Sequence, residues 1–445
     1  MPREIPDVPK GWRPPQPDSG HSYEIELITP MFGGGVSTRV NDPSFPIRPT
    51  SIRGQLQFWW RATVGAQYAT RQELRAAQSA VWGDTTRASR VQVRVEGLKF
   101  DPPSACARFE RDNRDNSRYR SMPTWNVPFN NTALPYALFP FQGQLANGRR
   151  QIEIEPACCI HKATFRLTVT AHKDIDFAKH VEPALWAWVN FGGLGGRTRR
   201  GCGAIICKAL APKDADDLKA MWLRHMPALF PMREWPTMAE SVSVRTVEQP
   251  ADGIPVWDWL IGRFRHFRQG EGLGRNPRQQ GSYRPGRSHY SEPETIRRVT
   301  GRRIARHARL PRIPDDAFPR AELGLPIVFH FQDEQNGEPP DTVLYPDNDS
   351  EGKKRERMAS PLVLKPLALQ SGKTVPLILR LQTPALTGVD LRRGDASLSL
   401  PPTTVIRDPR LAGYPDSPLA GSPNGSAIEA FIAFARGEGF TEVTR

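Results

Sequence analysis

Between Gly192 and Gly203 the chain reads GGLGGRTRRGCG, where Gly193, Gly195 and Gly196 run directly into Arg197, Arg199 and Arg200. Glycines let a backbone come close to a ligand, and guanidinium forks match the oxygens of a phosphate in pairs. The same residues could also form a helix cap followed by a mobile turn with solvated charges. The stretch lacks the Lys-Ser/Thr pair of a nucleoside-triphosphate loop. A dinucleotide fingerprint leaves a strand and opens a helix, whereas this run leaves a helix and opens a strand. The chemistry that remains is phosphate contact. A loop joining helix to strand is expected to have N–H groups without regular partners, free to turn towards an anion.

Other residues join this candidate RNA-binding set. Gly33, Gly34 and Gly35 follow an early strand, with Arg39 and Arg48 close behind. Arg53 and Arg61 lie two helical turns apart and can share one helix face. Between Ile261 and Arg312 the arginines are dense and lysine is absent; this segment holds Arg284, Arg287, His289 and Tyr290 on a glycine- and proline-bent loop. Arginine loops interleaved with an aromatic residue suit single-stranded nucleic acid. A solvated basic loop is the alternative. Trp59 and Trp60, at helical spacing beside Leu56 and Val64, read as core rather than as stacking platforms.

Catalysis is not indicated. The nine histidines form no pair with a nucleophile, and the carboxylates are scattered, with no HExxH and no acidic cluster for two metals. The five cysteines include no CxxC, so neither zinc nor any other metal or cofactor is expected. Their odd count suggests a reducing, cytoplasmic setting. The polar, proline-rich first residues have no apolar run of a signal peptide, and no stretch is long enough to span a membrane.

These residues must be positioned by elements that the pattern outlines. At 445 residues the chain can hold two or three domains, and its net charge of +14 favours a polyanionic partner. An extended tail over 1–22 precedes an alternating strand, YEIELITPMF. Helices follow from a Ser51 N-cap and near Arg71–Trp82, and then a strand at Val91–Val95. Residues 101–150, rich in Pro, Asn and Arg, read as an insertion rather than core. KATFRLTVTAH is a strand, DFAKHVEPALWAWVNF a helix despite Pro183, and GAIICKAL a strand. That order fits a split βαβ domain. A second round runs through SVSVRTVE, a helix near Trp257–Phe267, strands at LGLPIVFHF, ASPLVLKPLAL and TVPLILRLQTP, and the helix SAIEAFIAFAR. The expected architecture is α+β, with two tandem ferredoxin-like domains over 23–238 and 239–445. The second carries an Arg-rich insertion near 268–312.

PSFPIRPTSIRGQLQFWWRA, GGLGGRTRRGCG, GRSHYSEPETIR, LGLPIVFHF and RMASPLVLKPLAL together resemble the RAMP-superfamily subunit that caps one end of type III-B CRISPR effectors, the Cmr complex. The motifs run from about Thr29 to Leu369; the glycine-rich loop alone would say only RAMP. The resemblance implies RRM-like domains and a place at the crRNA 3′ end. It further implies contact with crRNA and single-stranded target RNA, neighbouring RAMP subunits as partners, and no cleavage by this chain. It assigns Gly192–Gly203 to the guide backbone. The long tail, the 101–150 insertion and the tyrosine in GRSHYSEPE depart from the pattern. A RAMP-family endoribonuclease of CRISPR repeats and another non-catalytic RAMP subunit are the alternatives.

Overall fold

A computed structural model describes residues 19–226, 228, 230–245, 252–278, 286–307, 313–348 and 352–444. The expected tail over 1–22 lies almost wholly outside these, apart from its last residues, which open the first strand.

The first unit is built on four strands: β1 (Ser19–Leu27), β2 (Val91–Phe100), β3 (Ala163–Ala171) and β4 (Ile205–Ile206). Between β1 and β2 lie α1 (Pro49–Ala62) and α2 (Arg71–Trp82), and between β3 and β4 lies α3 (Glu182–Phe191). The sheet order is β4-β1-β3-β2, with every pairing antiparallel. The second unit repeats the plan with β5 (Thr237–Arg245), α4 (Ile254–Gln269), β6 (Leu362–Ala368), β7 (Thr374–Gln382), α5 (Ala427–Gly437) and β8 (Phe440–Thr444). Its order is β6-β7-β5-β8, again antiparallel.

The two sheets share one apolar core. Ile25, Leu167 and Trp60 of the first unit cluster with Val242, Val363 and Leu377 of the second. Between them lies α3, buried from Pro183 to Phe191; a helix apolar on all faces requires such a setting. Its last turn meets Lys365 of β6, whose Nζ donates to the carbonyls of Val189 and Gly192, both at 3.0 Å. An amine at a helix C-terminus supplies donors to the orphan carbonyls there.

Several local expectations need correction. Pro183 does not sit inside a long helix: the chain forms Phe177–His180, breaks, and restarts with Pro183 in the first turn of α3. Proline is tolerated there because first-turn N–H groups have no helical partner. The helix expected from a Ser51 cap starts at Pro49 for the same reason, with Arg48 at the cap position. GAIICKAL pairs only over Ile205–Ile206. The strand in LGLPIVFHF, Ile327–Phe329, leaves the second unit's sheet. It joins Thr342–Pro346, Val389–Arg393 and Ala396–Ser397 in a separate four-stranded sheet. Residues 101–150 are not merely peripheral: Phe129, Leu134 and Leu138 are fully buried in a cluster with Phe32, Trp257 and Ile261, wedged between the units.

Candidate nucleic-acid interface

The first glycine turn and the glycine-rich loop lie side by side, because β1 and β4 are neighbours in the sheet and these segments extend them. Gly196 N donates to Phe32 O at 2.8 Å, and Gly203 N to Pro30 O at 2.9 Å. The loop is also pinned to itself, Leu194 N to Gly203 O at 2.8 Å. At Gly195 the backbone is left-handed (φ +73°), and a side chain would drive into Phe32 O. Gly203, at φ +64°, backs in the same way onto Leu194 O. Glycine is therefore required here first by the chain's own close approach. The expectation that this loop's N–H groups lack partners is corrected: those of Gly192, Leu194, Gly196, Arg200, Gly201 and Gly203 bond within the protein. Gly193 is buried, and Gly195 and Gly196 are exposed.

The three arginines divide. Arg199 donates to Ser360 O at 2.5 Å, and Arg200 to Leu362 O at 2.8 Å and Leu323 O at 3.1 Å. Both are half-buried ties between units, and burial pulls the Arg200 guanidinium down to about 9. As freely solvated phosphate ligands Arg199 and Arg200 are corrected: a three-residue helical turn, Thr198–Arg200, directs them to the carbonyls of the second unit. Arg197 differs. It has φ +57°, its Nε is buried without a hydrogen-bond partner, and its guanidinium lies 5.5 Å from the ring centroid of Phe139. Phe139 is 54% exposed, whereas neighbouring Phe141 stacks on Phe32 at 4.2 Å. Gly195, Gly196, Arg197 and Phe139 thus form one surface, flanked by the half-buried Gly33, Gly34 and Gly35 and by Val36, which is 94% exposed.

The other candidate cations mostly have protein partners. Arg39, at φ +72°, donates to the carbonyls of Pro140, Phe141 and Glu155, fastening the insertion to the glycine turn. Arg48 donates to Gly34 O and Gly35 O at 2.8 and 3.1 Å and so shapes that turn from within. Arg53 bonds Trp82 O, and Arg61 reaches Gln78 at 3.2 Å. Trp59 and Trp60 are buried, 3% and 0% exposed.

In the Arg-rich segment, Arg284 lies outside the described residues. Tyr290 is corrected as a stacking residue: it is 0% exposed, and its hydroxyl donates to Phe267 O at 2.9 Å. Arg287 is corrected as a mobile phosphate ligand. It pairs with Glu294 at 2.9 Å, beside Arg297 and Arg303 on the same carboxylate, both at 2.8 Å. Burial pushes the Glu294 carboxyl up, but the donated hydrogen bonds and positive charges outweigh this and hold it below its ordinary value. His289 is held through Leu273 O at 2.7 Å and the Asn276 side chain at 2.6 Å. The arginines gather here because α6 (Glu292–Thr300) buries two glutamates, and buried carboxylates demand cations.

Sequence reasoning missed Phe139, hidden in FPF within a segment taken as polar insertion, and Lys365, an isolated lysine in an apolar strand. Lysine amid an otherwise buried strand was the available signal. Among the described residues no three or more His, Cys, Asp or Glu could hold a metal, and no helix is long and apolar enough to cross a membrane.

Residues 24–206 match the RAMP superfamily. The CRISPR system Cmr subunit Cmr1-2 of Pyrococcus furiosus is 25% identical over 194 residues, 42% of this chain and 95% of that protein. The crystal structure of Cmr1 from Pyrococcus furiosus in its apo form superposes with a TM-score of 0.47 at 17% identity, covering 96% of this chain and 99% of that one. A chain of the type III-B Cmr-beta complex bound to cognate target RNA gives 0.44 at 12% identity, covering 81% and 94%. Over residues 24–206 the chain thus matches the RAMP superfamily, and it is similar to the Cmr1-2 subunit of the Pyrococcus furiosus CRISPR system.

Proposed function

We propose that the chain is a non-catalytic RNA-binding subunit of a type III-B CRISPR effector, and that each βαββαβ unit is a ferredoxin-like domain. The domains run from β1 to the start of β5 and from β5 to β8. The partners are crRNA, single-stranded target RNA and adjacent RAMP subunits. The observation that carries this reading is the joined glycine surface: Gly195 and Gly196 stand exposed against Phe32, with Arg197 and Phe139 at their edge. An exposed backbone free of side chains admits a sugar–phosphate chain. A guanidinium next to it supplies charge, and an aromatic ring offers a face for a base.

Arg199, Arg200, Arg39 and Arg48 then serve the interface by shaping it. They hold the second unit, the insertion and the first glycine turn around the exposed strip. The relatives' names supply the biological setting. Fluorescence anisotropy with a labelled single-stranded RNA tests the reading. The wild-type chain binds RNA and leaves it full-length on a denaturing gel. Arg197→Ala weakens binding about equally for unrelated sequences, because phosphate contacts carry no base information. Cleavage abolished by a point substitution in this chain, or affinity unchanged by Arg197→Ala and Phe139→Ala together, overturns it.

A further inference from the structure

The glycine surface does not absorb the charge of the Arg-rich segment. Part of that charge is neutralised around α6: Arg287, Arg297 and Arg303 on Glu294, Arg297 also on Glu338, and Arg298 on Asp315. The surplus collects elsewhere. At the C-terminal end of α4 a cavity of about 440 Å³ is lined by Arg265, His266, Gln269, Arg275 and Arg278, with Glu271 at its rim.

Glu271 is the only carboxylate lining this cavity among the described residues, and Arg278 already occupies it at 2.9 Å. Arg265 is exposed and has no ion pair among the described residues. Among the described residues the Arg275 guanidinium reaches only the Gln269 amide, at a long 3.4 Å, and its Nε is buried without a hydrogen-bond partner. Burial and the positive charges of Arg320 and Arg278 depress its pKa, outweighing the opposing influence of Glu271. The negative end of α4 compensates about half a charge, which leaves the cavity positive with three guanidinium groups facing it.

We propose that this cavity is a second nucleic-acid site, which takes a single phosphate-bearing nucleotide of a bound RNA strand. Guanidinium forks bind phosphate oxygens bidentately. The volume exceeds what a bare phosphate needs and falls in the range of small-ligand pockets, ~300–1,000 Å³. The Gln269 amide and the His266 ring stand beside the arginines, where a sugar or base would lie. The shared chemistry is a nucleotide phosphate; it rests on the RNA-binding reading only in taking a strand, rather than a free nucleotide, as its source.

The test uses the full chain, with Arg265→Ala and Arg278→Ala combined and melting compared with wild type. Both side chains are exposed, so the variant should stay folded. With a labelled oligouridylate, affinity falls about tenfold, and the log–log salt slope becomes shallower by roughly 0.7 for each lost contact. Adenosine monophosphate, titrated calorimetrically, binds wild type more strongly than the variant. If Arg197→Ala weakens RNA binding while the double variant keeps wild-type affinity and slope for RNA, the cavity proposal fails and the functional reading stands. If wild type ignores RNA but binds the mononucleotide through these arginines, the phosphate site stands and the functional reading fails. If the double variant matches wild type for both ligands, the cavity is not a phosphate site.

Discussion

Arg200→Met separates a structural arginine from a binding one inside a single loop. The wild-type guanidinium donates across the unit boundary to Leu362 O and Leu323 O at 2.8 and 3.1 Å, and its carbon lies 4.9 Å from the Phe264 ring centroid. Hydrogen bonds from a charged donor contribute about 1.5–3 kcal/mol each, and losing the donor leaves two carbonyls without it. The cost of burying the cation opposes this, while methionine keeps part of the stem's apolar packing. The expected net loss is about 3 kcal/mol. Arg197→Met is the control. Its guanidinium has no hydrogen-bond acceptor among the described residues and lies over Phe139 at 5.5 Å, a contact of about 0.5–1 kcal/mol. Urea unfolding followed by tryptophan fluorescence reports both. Arg200→Met should unfold at clearly lower urea, and Arg197→Met close to wild type. Unfolding free energies equal within about 0.5 kcal/mol for the two variants would refute the assignment of Arg200 as a tie between units.

Lys365 offers a pH test: burial pulls its amine from an ordinary 10.5 down to about 7. Its folded pKa lies below its unfolded one, so the unfolded chain binds more protons between these values. This contribution to stability is complete above about 10.5, falls as pH drops towards 7, and levels off below. Lys365→Met should flatten the stability curve across that window; parallel curves would contradict it. Tyr290→Phe removes one buried hydrogen bond to Phe267 O and should cost about 1 kcal/mol in a urea titration, with no change in RNA affinity. Gly195→Val must clash with Phe32 O at a left-handed backbone position, so its melting temperature should fall along with RNA binding. Melting unchanged would show that the turn can move aside.

The strand and helix order was legible because apolar periodicity survives wherever one face is buried. β3 alternates cleanly, and Trp59 and Trp60 carry the spacing of a core helix face. The same pattern could not reveal that Ile327–Phe329 pairs in a separate sheet, since three residues carry no partner information. Arginines were the least legible. Sequence gives their charge but not their acceptors: Arg39, Arg199 and Arg200 turn to backbone carbonyls far along the chain, and Arg48 to those of the glycine turn before it. Tyr290 looked like a loop aromatic because its neighbours are polar. It is buried because Glu292 and Glu294 draw the whole segment inward, onto Arg320 and Arg287. Phe139 escaped notice for the opposite reason: an apolar residue in a polar insertion is ordinarily folded in, and this one stands exposed.

Photo-crosslinking with 4-thiouridine RNA, followed by mass spectrometry of the RNA-bearing peptides, tests the central claim most directly. The exposed strip formed by Gly195, Gly196, Arg197 and Phe139 is where the account seats RNA. Crosslinks should fall on the peptide carrying Phe139 and on that carrying Gly195–Arg197, and they should disappear when unlabelled RNA competes. Specific, competable crosslinks confined to the sheet of Thr342–Pro346 and Val389–Arg393, with none at the glycine loop or Phe139, would contradict it.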